Sequence, residues 1–268
     1  MNYLRSLSIL GISILLFSGL KSLSDFAQPA GPPTVAQLSC APTGGSPLTK
    51  TNIEARAIAR GISTDPNTMG RAFENFVLDS IGDVKNTNPT IRFYSAARQA
   101  ATKNYRDPRR RHSFVVPDAL GPIIVRNRDQ YGRIISVSPY TMSAFEEMKF
   151  KRGVIYMSSF EHQITGMVSV LGTTSAAALA VVTLPRNRPT PRLTFHTPSD
   201  LSISQSIIDG ANRVRVGIWQ QVACDNPGGQ RGVNDMQMGQ AVLLNPTVYL
   251  GSAPPTRVPS GKPSTLQP

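Results

Sequence analysis

Between Asp65 and Ile218 the hydrophobic residues change period repeatedly, and that alternation restricts the fold more than any other feature of the chain. Helical spacing puts Phe73, Phe76, Val77 and Ile81 on one face of a segment that opens at Asp65-Pro66 and stops at Gly82. Asp65 suits an N-cap, Pro66 the first helical position and Gly82 a C-terminal stop. A shorter helix is expected over residues 53–60. Strand-like runs follow at residues 113–116, 123–126, 133–137, 143–150 and 154–157, bounded by Pro, Gly and polar turns. Ser158 and Glu161 form a capping box, and the helix it opens carries Ile164, Met167, Val168 and Leu171 at helical spacing. Residues 192–196 read as a strand, and residues 199–212 as a helix with Ile203, Ile207, Ile208 and Ala211 inward. Val214, Val216 and Ile218 then alternate as a last strand. Helix, several strands, helix, strand, helix, strand predicts an α/β layered domain: a mixed central sheet of about four to six strands with flanking helices.

The ends of the chain have a different composition. Ten of its 22 prolines and five of its 21 glycines fall in residues 28–47 and 251–268, an enrichment that marks those stretches as linker and tail. Arg5 precedes an apolar run at residues 7–20, shorter than the roughly 20 residues a bilayer-spanning helix needs and suited to the h-region of a signal peptide. The expected organisation is a signal peptide at 1–27, a flexible Pro/Gly-rich linker at 28–50, the folded domain at 51–225, its C-terminal extension at 226–250 and a disordered tail at 251–268. The protein is therefore expected to be exported, secreted or periplasmic. An uncleaved N-terminal anchor is the competing reading of the same run. Residues 163–184 carry no charge, but Thr, Ser, Gly and Ala replace any long Leu/Ile/Phe block, as in a buried helix followed by a loop. Cys40 and Cys224 are too few for a disulfide scaffold or a cysteine zinc cluster. After export they could form one bond; in a reducing compartment they would be two thiols.

Lys and Arg outnumber Asp and Glu by 28 to 16, and the net charge of +12 favours a polyanionic partner such as nucleic acid, anionic lipid or cell-wall polymer. The excess is concentrated in residues 91–112, where Arg92, Arg98, Lys103, Arg106, Arg109, Arg110 and Arg111 face a single acid, Asp107. Tyr94 and Tyr105 are interleaved. This segment is expected to be a solvated basic loop. Arg98, Lys103, Arg106, Arg109, Arg110 and Arg111 would contact phosphates, with the tyrosines stacking on bases. No P-loop, GxGxxG or GxSxG elbow is present, which leaves nucleotide cradles and α/β-hydrolase chemistry without support. His112, His162 and His196 are too scattered for a His-rich metal site.

Three residues form a candidate catalytic set: Asp118 after Pro117, then Glu147 and Lys149 as Glu-Met-Lys on a strand. Cutting a phosphodiester requires neutralising charge that builds on the phosphate and generating a nucleophilic water. Carboxylates from adjacent strands suit a hard divalent ion, and a lysine two residues on projects from the same strand face as the second carboxylate. A Glu-x-Lys tripeptide is common, so its weight here comes from placement. Glu146, on the opposite face, is expected to be solvated or packed on the sheet. Glu74 lies at the edge of the apolar face of its helix, where exposure is the default.

The runs Val116-Pro117-Asp118-Ala119 and Ala144-Phe145-Glu146-Glu147-Met148-Lys149 resemble the PD-(D/E)xK nuclease superfamily, and within it the restriction-endonuclease-fold toxin domains of bacterial polymorphic toxin systems. Residues 70–78, 158–171 and 191–200 support the resemblance, which spans about residues 68–221. It implies a restriction-endonuclease-like core that cleaves DNA, less often RNA, with Mg²⁺ or Mn²⁺. It also implies an immunity protein as a partner. Asp118 and Glu147 match the metal carboxylates, Lys149 the catalytic lysine, Glu74 a helix glutamate near the metal, and Gln163 a helix glutamine after the lysine strand. Met167 stands where exonuclease-like members often carry tyrosine. The competing class is a non-catalytic secreted protein that holds nucleic acid or an anionic envelope polymer through its basic segment.

Overall fold

The computed structural model describes residues 40, 44–87, 90–120, 126–128, 134–137, 144–157, 159–180, 191–229 and 235–246. The expected signal peptide, most of the linker and the tail lie outside the described residues. The first helices form where their caps are. Thr49 caps α1 (Lys50–Ala59), and Asp65 accepts the Thr68 N–H at 2.8 Å to open α2 (Pro66–Ile81). Gly82 ends α2 at φ 65°, a left-handed conformation that costs glycine little. Helix α2 buries Met69, Ala72, Phe73, Phe76, Val77 and Leu78.

Next come β1 (Phe93–Tyr94), α3 (Ala96–Thr102), a 3-10 turn at Pro108–Arg110, and β2 (Phe114–Val115), which pairs antiparallel with β1. Strands β3 (Arg126–Arg128) and β4 (Ile134–Val137) form an antiparallel pair. The remaining elements are β5 (Ala144–Met148), β6 (Gly153–Ile155), α4 (Ser159–Ala180), β7 (Arg192–Thr197), β8 (Leu201–Ile203), α5 (Gln205–Arg213), β9 (Gly217–Asp225), β10 (Met236–Met238) and β11 (Val242–Leu243). This is an α/β architecture around a mixed five-stranded sheet, the expected class. Strands β5, β7 and β9 run parallel, and β10 and β11 both pair antiparallel with β9. Parallel strands covered on both faces are normally continuous apolar runs. All five residues of β5 and all six of β7 are buried, yet they include Glu146, Glu147, Arg192 and His196.

Two apolar layers flank the sheet. On one side Phe145, Leu193, Phe195 and Ile218 pack with Ile164, Met167 and Leu171 of α4 and with Ile207 and Ala211 of α5. On the other, the apolar faces of α1 and α2 meet Met148, Ala223, Met236 and Met238.

Four expectations are corrected. Residues 91–112 are not a loop but carry β1, α3 and the 3-10 turn. The helix expected over 199–212 starts only at Gln205, because Leu201–Ile203 is strand β8, paired in parallel with β6. The last strand starts at Gly217 rather than Val214, since Arg215 adopts a left-handed φ of 56° that breaks the alternation. The end of the expected linker is built into the sheet: Pro47 bridges Cys224, and the Leu48 N–H donates to the Ala223 carbonyl at 2.8 Å. Cys40 and Cys224 are joined in a disulfide across 184 positions, chemistry that belongs to an oxidising compartment. Among the described residues no helix is long and apolar enough to cross a membrane.

Candidate active site

Strand β2 delivers Asp118 to the end of β5. The chain turns at Pro117, whose carbonyl accepts from the buried Asn86 amide at 3.1 Å. Asn86 also exchanges bonds with the backbone of Ile91, and its N–H donates to the Asp118 carbonyl at 2.8 Å. Ala119 then bridges Glu146 through two backbone bonds. In this position the Asp118 carboxylate accepts the Met148 N–H at 2.7 Å, a charge-assisted bond that fixes it on β5. Asn86 is the fastening of this turn, and nothing in its sequence context marks it.

Glu147 shows no exposed surface. Its Oε1 accepts from the Lys149 ammonium and from Gln163 Nε2 at 3.1 Å. The same Gln163 amide donates to the Val116 carbonyl at 3.2 Å, so α4 ties Glu147 to the segment that carries Asp118. Glu147 Oε2 is buried with no hydrogen-bond partner. Burial pushes the Glu147 carboxyl up to about 8, against the pull of the Lys149 charge and with a further push from Asp118. Burial alone would lower Lys149. The charges of Glu147, Asp118 and Glu74 outweigh it and hold the ammonium above its ordinary value.

Glu74 reaches this group from α2. It pairs with Lys85 at 2.9 Å, and its other oxygen, Oε1, is buried without a partner, so it is not the exposed residue its helical position suggested. Asp118, Glu147, Lys149 and Gln163 are thus in one cluster, and Glu74 acts on it through the charge of Lys149. Lys85 is an addition that sequence spacing gave no means of finding.

Glu146 is not solvated. It lies on the other sheet face at 3% exposure, 2.9 Å from His196 Nε2 and 3.5 Å from Arg192 Nη2. The basic segment also differs from expectation. Arg98 is buried and its guanidinium holds the Phe114 carbonyl, so it fixes β2 rather than offering a surface charge. Arg92, Lys103, Arg106, Arg109, Arg110 and Arg111 are exposed. Tyr105 is engaged within the protein, under the Arg110 guanidinium at 5.2 Å and 6.1 Å from the His162 ring.

The donor set can be tested against a divalent ion. Among the described residues no group of three His, Cys, Asp or Glu side chains is placed to hold a metal. The donors among the described residues are too few for a four-ligand zinc site or an all-protein calcium cage. Two carboxylates, Asp118 and Glu147, remain, and the partnerless Glu147 Oε2 is a hard oxygen donor. Mg²⁺ is commonly held by one or two carboxylates, with waters and substrate phosphates completing the shell, so the residues present fit it or Mn²⁺.

No protein-family model, no curated protein and no solved structure matches the chain.

Proposed function

We propose that the protein is an exported nuclease of restriction-endonuclease type that hydrolyses phosphodiester bonds of DNA, or else RNA, with Mg²⁺ or Mn²⁺. The observation that carries this reading is the buried Glu147. Its Oε1 is saturated by Lys149 and Gln163, its Oε2 has no partner, and the Asp118 charge lies close enough to raise its pKa. An uncompensated buried carboxylate oxygen is costly, and sites that accept the cost are often functional. When bound, the ion would supply Lewis-acid stabilisation of the phosphate and a more acidic water.

The chain's own residues do the rest. Gln163 fixes the direction of the Glu147 carboxylate, and the Met148 N–H fixes that of Asp118. The charges of Asp118 and Glu74, joined by that of Glu147 once it ionises, hold Lys149 protonated, so it acts as a cation and hydrogen-bond donor toward phosphate or water, not as the resting base. The exposed arginines of the basic segment grip the backbone of the substrate without reading its sequence. The Cys40–Cys224 disulfide supports export through the apolar N-terminal run. A toxin role with an immunity partner rests on the resemblance alone.

The exposed cations of residues 91–112, which would hold a polyanion without any metal, favour a second reading, a basic secreted protein that binds nucleic acid or an anionic envelope polymer without cutting it. The test is incubation of the purified, disulfide-bonded protein with DNA and with RNA, with Mg²⁺ or with chelator. Loss of substrate length only with the metal supports the nuclease. Binding that weakens steeply with salt and leaves length unchanged supports the second reading.

A further inference from the structure

The ribbon of β1 and β2 presents its aromatic residues in an unusual way. Phe93 and Val115 point inward and are buried in the core, while the directly paired Tyr94 and Phe114 point outward at 58% and 48% exposure. Outward positions of a half-buried ribbon are ordinarily polar, but here both are aromatic. Their centroids are 5.9 Å apart with the planes 75° to each other, an edge contact that leaves ring surface open. Tyr94 Oη donates to Gln99 Oε1 at 2.7 Å, which orients the ring from α3.

The ribbon is rigidly seated. Arg98 holds the Phe114 carbonyl, and the Ser95 N–H donates to the Ser113 carbonyl at 2.8 Å. Below it, Ser95 Oγ donates to the Gly166 carbonyl of α4 at 3.3 Å. A Cβ at Gly166 would stand 2.5 Å from Val115 Cγ1, so glycine permits this close approach. Gly166 is three residues from Gln163, on the same side of α4, and Gln163 holds Glu147. One helix therefore seats the ribbon and the candidate site together. Phe114 is four residues from Asp118, a span of at most roughly 14 Å, or about four stacked nucleotides.

We infer that Tyr94 and Phe114 form a stacking platform for unpaired bases and that the substrate class is single-stranded nucleic acid, or the unpaired end of a duplex. The inference rests on the nucleic-acid reading above and narrows it. Bases inside a duplex have their faces covered by neighbours, whereas single-strand binders combine a basic track with exposed aromatics. Both parts are present in one segment, since Arg92, Lys103, Arg106, Arg109, Arg110 and Arg111, which flank β1 or lie in the chain between β1 and β2, are exposed. Their only acidic neighbour in the segment, Asp107, is engaged in capping the 3-10 turn. Tyr105, already covered by Arg110, is not part of the platform.

The test measures binding of a fluorescent single-stranded 12-mer and of the matching duplex in chelator, by anisotropy, with Mg²⁺-dependent cleavage followed separately. The parent should bind the single strand more tightly. Tyr94→Ala and Phe114→Ala should each weaken that binding by on the order of tenfold, leave duplex binding nearly unchanged, and melt as the parent does. Tyr94→Phe and Phe114→Trp should retain it. Equal affinity of parent and alanine variants for the single strand, or a parent preference for duplex, overturns the platform even if Mg²⁺-dependent cleavage is seen. A selective loss in the alanine variants upholds the platform even if no cleavage occurs.

Discussion

Glu146 and Glu147 are adjacent, both buried, and do opposite things. On its face Glu147 has a cation on one oxygen and nothing on the other. Its carboxyl is pushed up to about 8 from an ordinary 4.5, so the native protein keeps a proton that the unfolded chain releases. Between those two values the native state binds more protons, and the metal-free protein should lose stability as pH rises through that window and level off above it. Melting temperature measured from pH 5 to pH 9 should fall by several degrees, and Glu147→Gln should flatten the curve. An unchanged slope in that variant would assign the effect to another group. Glu146 is committed to Arg192 and His196, which keep Nε and Nδ1 respectively buried without partners. Glu146→Gln would leave the Arg192 charge uncompensated and should cost about 3 kcal/mol of stability, read in denaturant unfolding. Cleavage per folded molecule should change little, since Glu146 faces away from the site.

Among the elements, those with length and caps could be read from sequence, and those held only by tertiary contact could not. Asp65, Pro66 and Gly82 mark the bounds of α2 because capping chemistry is local. Strand β1 has two residues, too few to show a period, and the surrounding charge gave residues 91–112 the look of a loop, whereas β2 falls inside the run read as a strand at 113–116. Strand β8 was hidden inside a helical pattern, since Ile203 continues the spacing of Ile207, Ile208 and Ala211 although Ser204 is already the N-cap. The seating of the ribbon on α4 has a direct test. Gly166→Ala forces a methyl against Val115 and should destabilise the protein by about 1–3 kcal/mol. Binding of single strands should weaken with it, and a variant as stable as the parent would contradict the close approach.

For the whole molecule, the disulfide is the longest-range constraint on the chain. In the chain-entropy picture a cross-link spanning 184 positions disfavours the unfolded state by about 5 kcal/mol. Reduction should lower the melting temperature by roughly 10–20 °C, as scanning calorimetry with and without reductant would show. Two cysteines alone left that bond undecided, because pairing depends on compartment and on Cα separation rather than on spacing. The candidate site was more legible. Strand alternation separated Glu147 from Glu146, and Asp118, Lys149 and Gln163 meet at Glu147 as the motif order suggested. Arg98 could not be told from its exposed neighbours, since burial of one arginine in a basic run is decided by β2 packing over it.

The most direct test is Mg²⁺-dependent cleavage by the disulfide-bonded parent and by Asp118→Asn, Glu147→Gln and Lys149→Ala, with folding checked by melting and Mg²⁺ affinity by calorimetry. A metal-dependent nuclease of this type should show cleavage by the parent that chelator stops, and a loss of at least about a hundredfold in each variant. It should also show weakened metal binding for the first two variants only. Cleavage by all three at the parent's rate, or no metal-dependent cleavage by the parent, would contradict this reading.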